Sequence, residues 1–260
     1  MSIRLASRRI PQGRDAASIR KWAFFFLTVG TVGQCILQNR LLMLDQVSME
    51  ELAAAMDQSS LVYGLATVAL ICKVVAPCAA PLFCFLLVEG FQRTSSFEKY
   101  LLRVGAAALV CELPFNLAYS GKLLDLGSRN PVFGMFICLI MLYFFSRYAE
   151  KGLKNLLMKA LIAAAAFLWC RMLVIDQGVC LVILVGFLWM VRDKSNVRSM
   201  FTFCGAMVCT LFNMYYIGSC LSCIMLHRYN DERGDQNEKL NYAFYPVMLL
   251  VLGIVAKFIG

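Results

Sequence analysis

Apolar runs separated by short polar stretches make up most of the chain, at about residues 22–38, 61–91, 104–119, 131–145, 156–175, 179–191, 200–213, 214–226 and 242–259. In hydrocarbon, backbone N–H and C=O groups must be satisfied within their own segment, which makes such runs helices. The pattern therefore predicts an all-α integral membrane protein, a bundle of about nine transmembrane helices. Several runs fall short of the roughly 20 residues that a crossing needs, so their limits are soft. Lys73, Pro77 and Pro81 interrupt the second run. Proline removes a donor and clashes with the preceding turn, so this span is expected to be Pro-broken or to carry a re-entrant piece. Irregular backbone at membrane depth is tolerated only against protein or a water-filled cavity, which makes this segment the first place to look for a site. Between the first two runs, Asp45, Glu50, Glu51 and Asp57 outnumber Arg40, and residues 49–56 read as a short surface helix in an external loop.

Charge orients the bundle. Residues 1–21 carry Arg4, Arg8, Arg9, Arg14, Arg20 and Lys21 against Asp15. The apolar run that follows has no small-residue cleavage site and is succeeded by further spans, so it reads as a retained helix rather than a signal peptide. Arg93, Lys99 and Arg103, then Arg147, Lys151 and Lys154, then Arg192, Lys194 and Arg198 fall on one face, while residues 121–130 on the other are nearly balanced. The positive-inside rule then gives a multi-pass protein of the cell membrane with a cytoplasmic N-terminus. Residues 1–21 form a basic cytoplasmic segment and 22–260 a single bundle.

Composition agrees: 60% hydrophobic and 16% charged residues, and a mean hydropathy of +0.69. Soluble domains carry about 45–50% apolar and 25% charged residues. The net charge of +9 comes in short clusters between apolar runs, which fits the anionic inner leaflet rather than nucleic acid. Ten of the twelve cysteines lie inside apolar runs and act as small hydrophobes. Cys220 and Cys223 have a C-x-x-C spacing, but no second pair and no nearby histidine accompany them, so no metal site is expected.

Charges at membrane depth mark function by default, and Lys73, Glu89, Glu112, Arg171 and Asp176 lie within or at the edges of runs. Glu112 stands two residues before Pro114; it either lines a polar pocket at the kink or caps the helix break. Glu89 reads as an interfacial ion pair with Lys99 or Arg103. Asp176 reads as the N-cap of the helix after it, with Arg171 one turn away to pair with it or with an anionic substrate. The one histidine, His227, sits at an interface, so general-base chemistry through an imidazole would have to use it.

Three stretches carry a resemblance: Ala80-Pro81-Leu82-Phe83 with Val88-Glu89-Gly90-Phe91-Gln92-Arg93-Thr94; Glu112-Leu113-Pro114-Phe115-Asn116-Leu117-Ala118 with Asn130-Pro131; and Arg228-Tyr229-Asn230-Asp231-Glu232-Arg233-Gly234 with Phe244-Tyr245-Pro246. Asp176-Gln177-Gly178 fits a further element. In order and spacing the chain resembles the TraX family of polytopic membrane proteins. The resemblance implies a transmembrane acyltransferase fold, whose founding members are associated with N-terminal acetylation of pilin and use acetyl-CoA as donor. It also carries departures. Family members have an Asp-His pair in the first span where this chain has Gly30-Thr31, and a Gly-Arg where it has Ala76-Pro77. The histidines of the Glu-Gly-Phe and Tyr-Pro elements are Arg93 and Met248 here.

Two functions follow. In one, the chain transfers an acyl group from acyl-CoA to a peptide amine or other extracytoplasmic acceptor. Glu112 (or Glu89) serves as base, Lys73, Glu89, Arg171, Asp176 and Asn230 line the substrate site, and Arg93 and Arg233 hold the CoA phosphates. In the other, it is an inactive pseudoenzyme that binds or assembles with a membrane-protein partner or with copies of itself; the small residues 163–166 would allow close packing.

Overall fold

A computed structural model describes residues 13–259, apart from Asp45, Ala149, Lys151, Ser195, Asn196 and Gln236. Most of the basic N-terminal segment, with Arg4, Arg8 and Arg9, lies outside the described residues, as do Asp45 and Lys151 of the charge pattern. Among those described the chain is helical, with isolated β-bridges and no β-strand. The first helix begins at Ala16, earlier than the apolar run. Asp15 supplies its cap, accepting from Ser18 N at 2.8 Å, and these bonds hold its carboxyl below the usual carboxylate range. Helix α1 (Ala16–Val32) continues into a π-helical stretch, Gly33–Leu41. The surface helix expected in the next loop is α2 (Met49–Gln58), where Ser48 and Glu51 form a reciprocal capping box.

The interrupted second run is helical throughout, 34 residues from Ser60 to Arg93. Helix α3 (Ser60–Val75) passes through a 3-10 turn, Ala76–Cys78, into α4 (Ala79–Arg93). Pro77 occupies that turn, and Pro81 falls in the first turn of α4, where backbone donors have no intrahelical partner. The span is thus broken without being re-entrant. Then come α5 (Phe97–Ser120), α6 (Pro131–Arg147), α7 (Leu153–Met172), α8 (Gly178–Met190) and α9 (Arg198–Cys209). Residues 214–226, expected as one span, divide into a 3-10 stretch, Met214–Cys220, and α10 (Leu221–His227), before α11 (Glu238–Ile259).

Among the described residues, four helical stretches are long and apolar enough to cross a membrane: Ser60–Arg93, Phe97–Ser120, Leu153–Met172 and Leu240–Ile259. The helices Pro131–Arg147, Gly178–Met190 and Met214–His227 are apolar but shorter. At about 1.5 Å per residue, the 13 residues of α8 cover about 20 Å, less than the roughly 30 Å of hydrocarbon. The protein is therefore a helical membrane protein in which the short apolar helices build the core. Leu139, Leu142, Leu184 and Val185 of α6 and α8 are wholly buried with Leu82 of α4. A smaller cluster joins Cys35, Cys111, Phe115 and Leu249 across the π-helical stretch, α5 and α11. Of residues 163–166, Ala163 and Ala166 pack against the main core while Ala164 and Ala165 are exposed, and α7 is otherwise largely exposed.

Backbones approach closely where α1 and the π-helical stretch cross α3 and the turn after it. A Cβ on Gly30 would lie 2.5 Å from Ala76 Cβ, and one on Gly33 would overlap Cys72. Gly64, on the same α3, faces open space. Gly33→Ala should therefore lower the Tm of the detergent-solubilised protein by the equivalent of about 1–3 kcal/mol of overpacking, while Gly64→Ala leaves it unchanged or raises it.

Candidate functional site

Between the main core and the α5–α11 pair runs a cavity of about 770 Å³. It follows α1 and the π-helical stretch from Ala16 and Arg20 to Gln34 and Gln38, a distance of about 30 Å at about 1.5 Å per residue, close to the thickness of bilayer hydrocarbon. Its middle is apolar, with Leu27, Phe83, Leu86, Leu87, Val132, Met135 and Leu181 on the wall. Its two ends differ. Arg20, Arg93, Arg103 and Arg233 line the end where α1 begins, with Thr94 and Ser95; Gln34, Gln38, Lys73, Asp125, Asp176, Gln177 and Asn213 line the other.

At the arginine end, Tyr229 enters the core with 3% exposure, its ring edge-on to Phe85 at 4.9 Å. Its hydroxyl donates to Glu89 Oε1 at 2.9 Å. Arg93 donates to the same hydroxyl at 3.2 Å and to the Asp231 carbonyl at 2.8 Å, and it pairs with Glu89 one turn earlier on α4. Arg198, 6% exposed, lies over the Phe85 and Tyr229 rings at 5.0 and 5.2 Å and reaches Asp231 at 3.5 Å. The N-terminal segment braces this loop. Arg14 N donates to Arg228 O at 2.5 Å, Asn230 N to Arg14 O at 3.0 Å, and Ala16 N to Glu232 O at 2.9 Å. Gly234 has φ +67, and a Cβ there would meet the Asp15 carboxylate, so only glycine closes the loop onto the helix cap.

At the opposite end, the turn between α7 and α8 pairs with the loop before α6: Arg129 N donates to Val174 O and Asp176 N to Arg129 O, both at 2.9 Å. Asp176 does not cap α8. The cap residue is Gln177, in the left-handed region at φ 54, and it makes no side-chain cap bond. The Asp176 carboxylate instead faces the cavity, accepting from Gln177 Nε2 at 3.4 Å; Gln177 Oε1 accepts from the Tyr216 hydroxyl at 2.8 Å. Burial pushes the Asp176 carboxyl up to about 6, the Gln177 bonds opposing the rise. Lys73 lies over the Tyr215 ring at 4.7 Å.

Of the residues expected at a site, the cavity brings together Lys73, Glu89, Arg93, Asp176, Arg233 and Thr31. Glu89 pairs with Arg93. Glu112 is not on the cavity wall. Its carboxylate accepts from Arg129 at 2.8 Å, Asn130 Nδ2 at 2.6 Å and Asn130 N at 3.2 Å, which ties the Pro114 region of α5 to the start of α6. Arg171 is exposed on α7, away from the cavity, and no bond joins it to Asp176 among those described. Asn230 bonds within its own turn, to Glu232. Met248 accepts from the Thr28 hydroxyl at 3.1 Å, and His227 is exposed at the end of α10. Gln34 and Gln38 are wall residues that sequence reasoning did not single out, and Arg20, Arg103 and Asn116 were named there without a place in a site; each is a polar residue on the edge of or within an apolar run, the signal that would have found them. Where the resemblance leads one to expect a side chain at position 30 and none at position 76, the chain has Gly30 packed on Ala76, so the volume has moved across the helix contact.

The family described as TraX protein matches residues 19–256. No curated protein matches the chain, and no solved structure does.

The Glu112 arrangement has a direct consequence for stability. A partly buried carboxylate deprived of its partner costs about 1–3 kcal/mol. Arg129→Ala and Glu112→Gln should each lower the Tm, and the double variant should fall no further than the worse single, since both remove one coupled contact.

Proposed function

The chain belongs to the TraX family, and on that premise we propose that it is a transmembrane acyltransferase, carrying an acyl group from acyl-CoA (acetyl-CoA among the donors) to a peptide amine or another acceptor on the far side of the membrane. The observation that carries this reading is one cavity as long as the bilayer is thick, with four arginines at one end and Asp125 and Asp176 at the other. We assign the arginine end to the cytoplasm, because Arg20, Arg93, Arg103 and Arg233 line it and basic residues gather on the inner side of membrane proteins. Donor phosphates would meet Arg93 and Arg233, guanidinium being suited to bidentate phosphate contact. The acceptor nitrogen or oxygen attacks the acyl carbon, the C–S bond breaks, and CoA leaves as the thiol, its sulfur receiving the proton the acceptor gives up. A carboxylate relays that proton. Asp176 is the one we assign: it faces the cavity, and with a pKa pushed up to about 6 it is ionised yet basic near neutral pH. Glu112 is tied up by Arg129 and Asn130, and Glu89 by Arg93 and Tyr229.

One observation favours the second reading, an inactive binding or assembly subunit. Thr31, Arg93 and Met248 occupy the places where imidazoles are expected, and His227 is off the cavity wall.

Binding of acetyl-CoA to the purified protein, followed by transfer to a peptide amine, separates the two. Arg93→Ala and Arg233→Ala should each weaken donor binding about 10- to 100-fold, the loss of a charge-assisted bond. Asp176→Asn should keep binding and lower transfer about 10²- to 10⁴-fold. Because the raised pKa leaves Asp176 protonated below about pH 6, the wild-type rate should climb as pH rises through 6, and the variant should lose that limb. Donor binding without transfer at any pH establishes the second reading, and no binding at millimolar donor sinks the first.

A further inference from the structure

Asn116 is a polar group of the cavity that the protein itself leaves unused. Its side chain is 2% exposed, it lines the cavity, and its Nδ2 has no hydrogen-bond partner. Buried donors without partners are rare in native folds, and each calls for a specific explanation. The backbone around it is well held. Asn116 lies two residues past Pro114 in α5, and its carbonyl accepts from the Ser120 hydroxyl at 2.8 Å. Its neighbour Phe115 packs with Cys35, one turn past Thr31, in the smaller core cluster, and Thr31 and Tyr119 line the same cavity. Asn116 therefore stands near the depth of Thr31, the position where the first-span imidazole is expected. Its surroundings, Leu27, Phe115 and Val132, are apolar.

The ligand group it awaits follows from distance and charge. From Arg103 to Asn116 is 13 residues of α5, about 20 Å at about 1.5 Å per residue. A neutral amide set that far from the arginines, in an apolar stretch, suits a neutral acceptor atom at the end of a long arm better than another phosphate. We propose that Asn116 Nδ2 donates to the carbonyl oxygen of the donor's acyl group while the phosphates rest at Arg93 and Arg233; this rests on the acyl-transfer reading above. Attack on the acyl carbon moves negative charge onto that oxygen, where the N–H bond strengthens. When the adduct collapses the carbonyl re-forms, the C–S bond breaks, and the sulfur takes up the acceptor's proton.

The test compares acetyl-CoA with CoA, which lacks the carbonyl, by calorimetry on the purified protein. The wild type should bind acetyl-CoA about three- to tenfold more tightly, the worth of one hydrogen bond. Asn116→Leu should bind the two equally while keeping wild-type affinity for CoA, whereas Arg93→Ala weakens both alike. Without ligand, Asn116→Leu should keep or raise the Tm, because an unpaired donor has been replaced by an apolar group of similar shape. In a transfer assay the same variant should lose about 10²- to 10³-fold in kcat. A preference for acetyl-CoA that survives in Asn116→Leu, equal wild-type binding of both ligands, or a sharp fall in the variant's Tm each overturns the role of Asn116 and leaves the donor reading standing. Failure of the wild type to bind either ligand overturns the donor reading, and the role of Asn116 with it.

Discussion

Apolar surroundings leave a polar group no partner except the protein itself, and in this bundle that constraint sorts the charges before any chemistry is considered. Glu112 takes Arg129 and Asn130; Glu89 takes Arg93 and Tyr229; Arg198 takes Asp231 and two aromatic faces. Each set also joins segments distant in sequence. Glu112 fastens α5 to the loop before α6, and the Glu89 and Arg198 sets fasten α4 and α9 to the loop that carries Arg233. The cavity keeps its length because these bonds hold both ends in place while the short core helices α6 and α8 fill one side.

Much of the fold was legible in the residues. Alternation of apolar runs with charged loops located the helices, although α1 and α5 begin six and seven residues before their runs and residues 214–226 divide in two, and α2 was legible as a helix from Met49 onward. Two kinds of feature were not legible. A proline in a span announces a break, but whether the chain turns back or continues depends on what lies opposite: Pro77 falls in a 3-10 turn and Pro81 in a helix's first turn, so neither costs more than a local change of pitch. Span count is the other. Helix α8 has only 13 residues, and apolar periodicity cannot distinguish a short core helix from a crossing, because both are hydrophobic all round.

The site was legible in part, for a similar reason. A lone charge in an apolar run is visible in sequence, and Lys73, Glu89, Arg93, Asp176 and Arg233 do reach the cavity. Whether such a charge is spent on a neighbour is a matter of tertiary geometry. Arg129 lies in a loop 17 residues after Glu112, and nothing in the local pattern announces that the two meet. Asn116 shows the converse. A neutral amide attracts less notice than a glutamate four residues earlier, yet the glutamate is saturated and the amide is not.

The missing imidazoles then take on a physical meaning. An imidazole in the first span would need a charge or donor beside it to fix its tautomer, and an aspartate at position 30 would need room. Gly30 against Ala76 removes that room, and Thr31 turns its hydroxyl to the Leu27 carbonyl at 2.8 Å. The arrangement that would have supported a histidine has thus been closed by packing rather than left as a gap. What survives on the same wall is Asn116 at that depth and Asp176 at the far end. A donor and a base remain, separated along the cavity, and acyl transfer needs a base for the acceptor and a donor for the carbonyl. On the acyl-transfer reading proposed above, an imidazole could serve one of these roles at a time, whereas the two residues here would divide them, with the acceptor entering from the Asp176 end to meet a carbonyl held at Asn116.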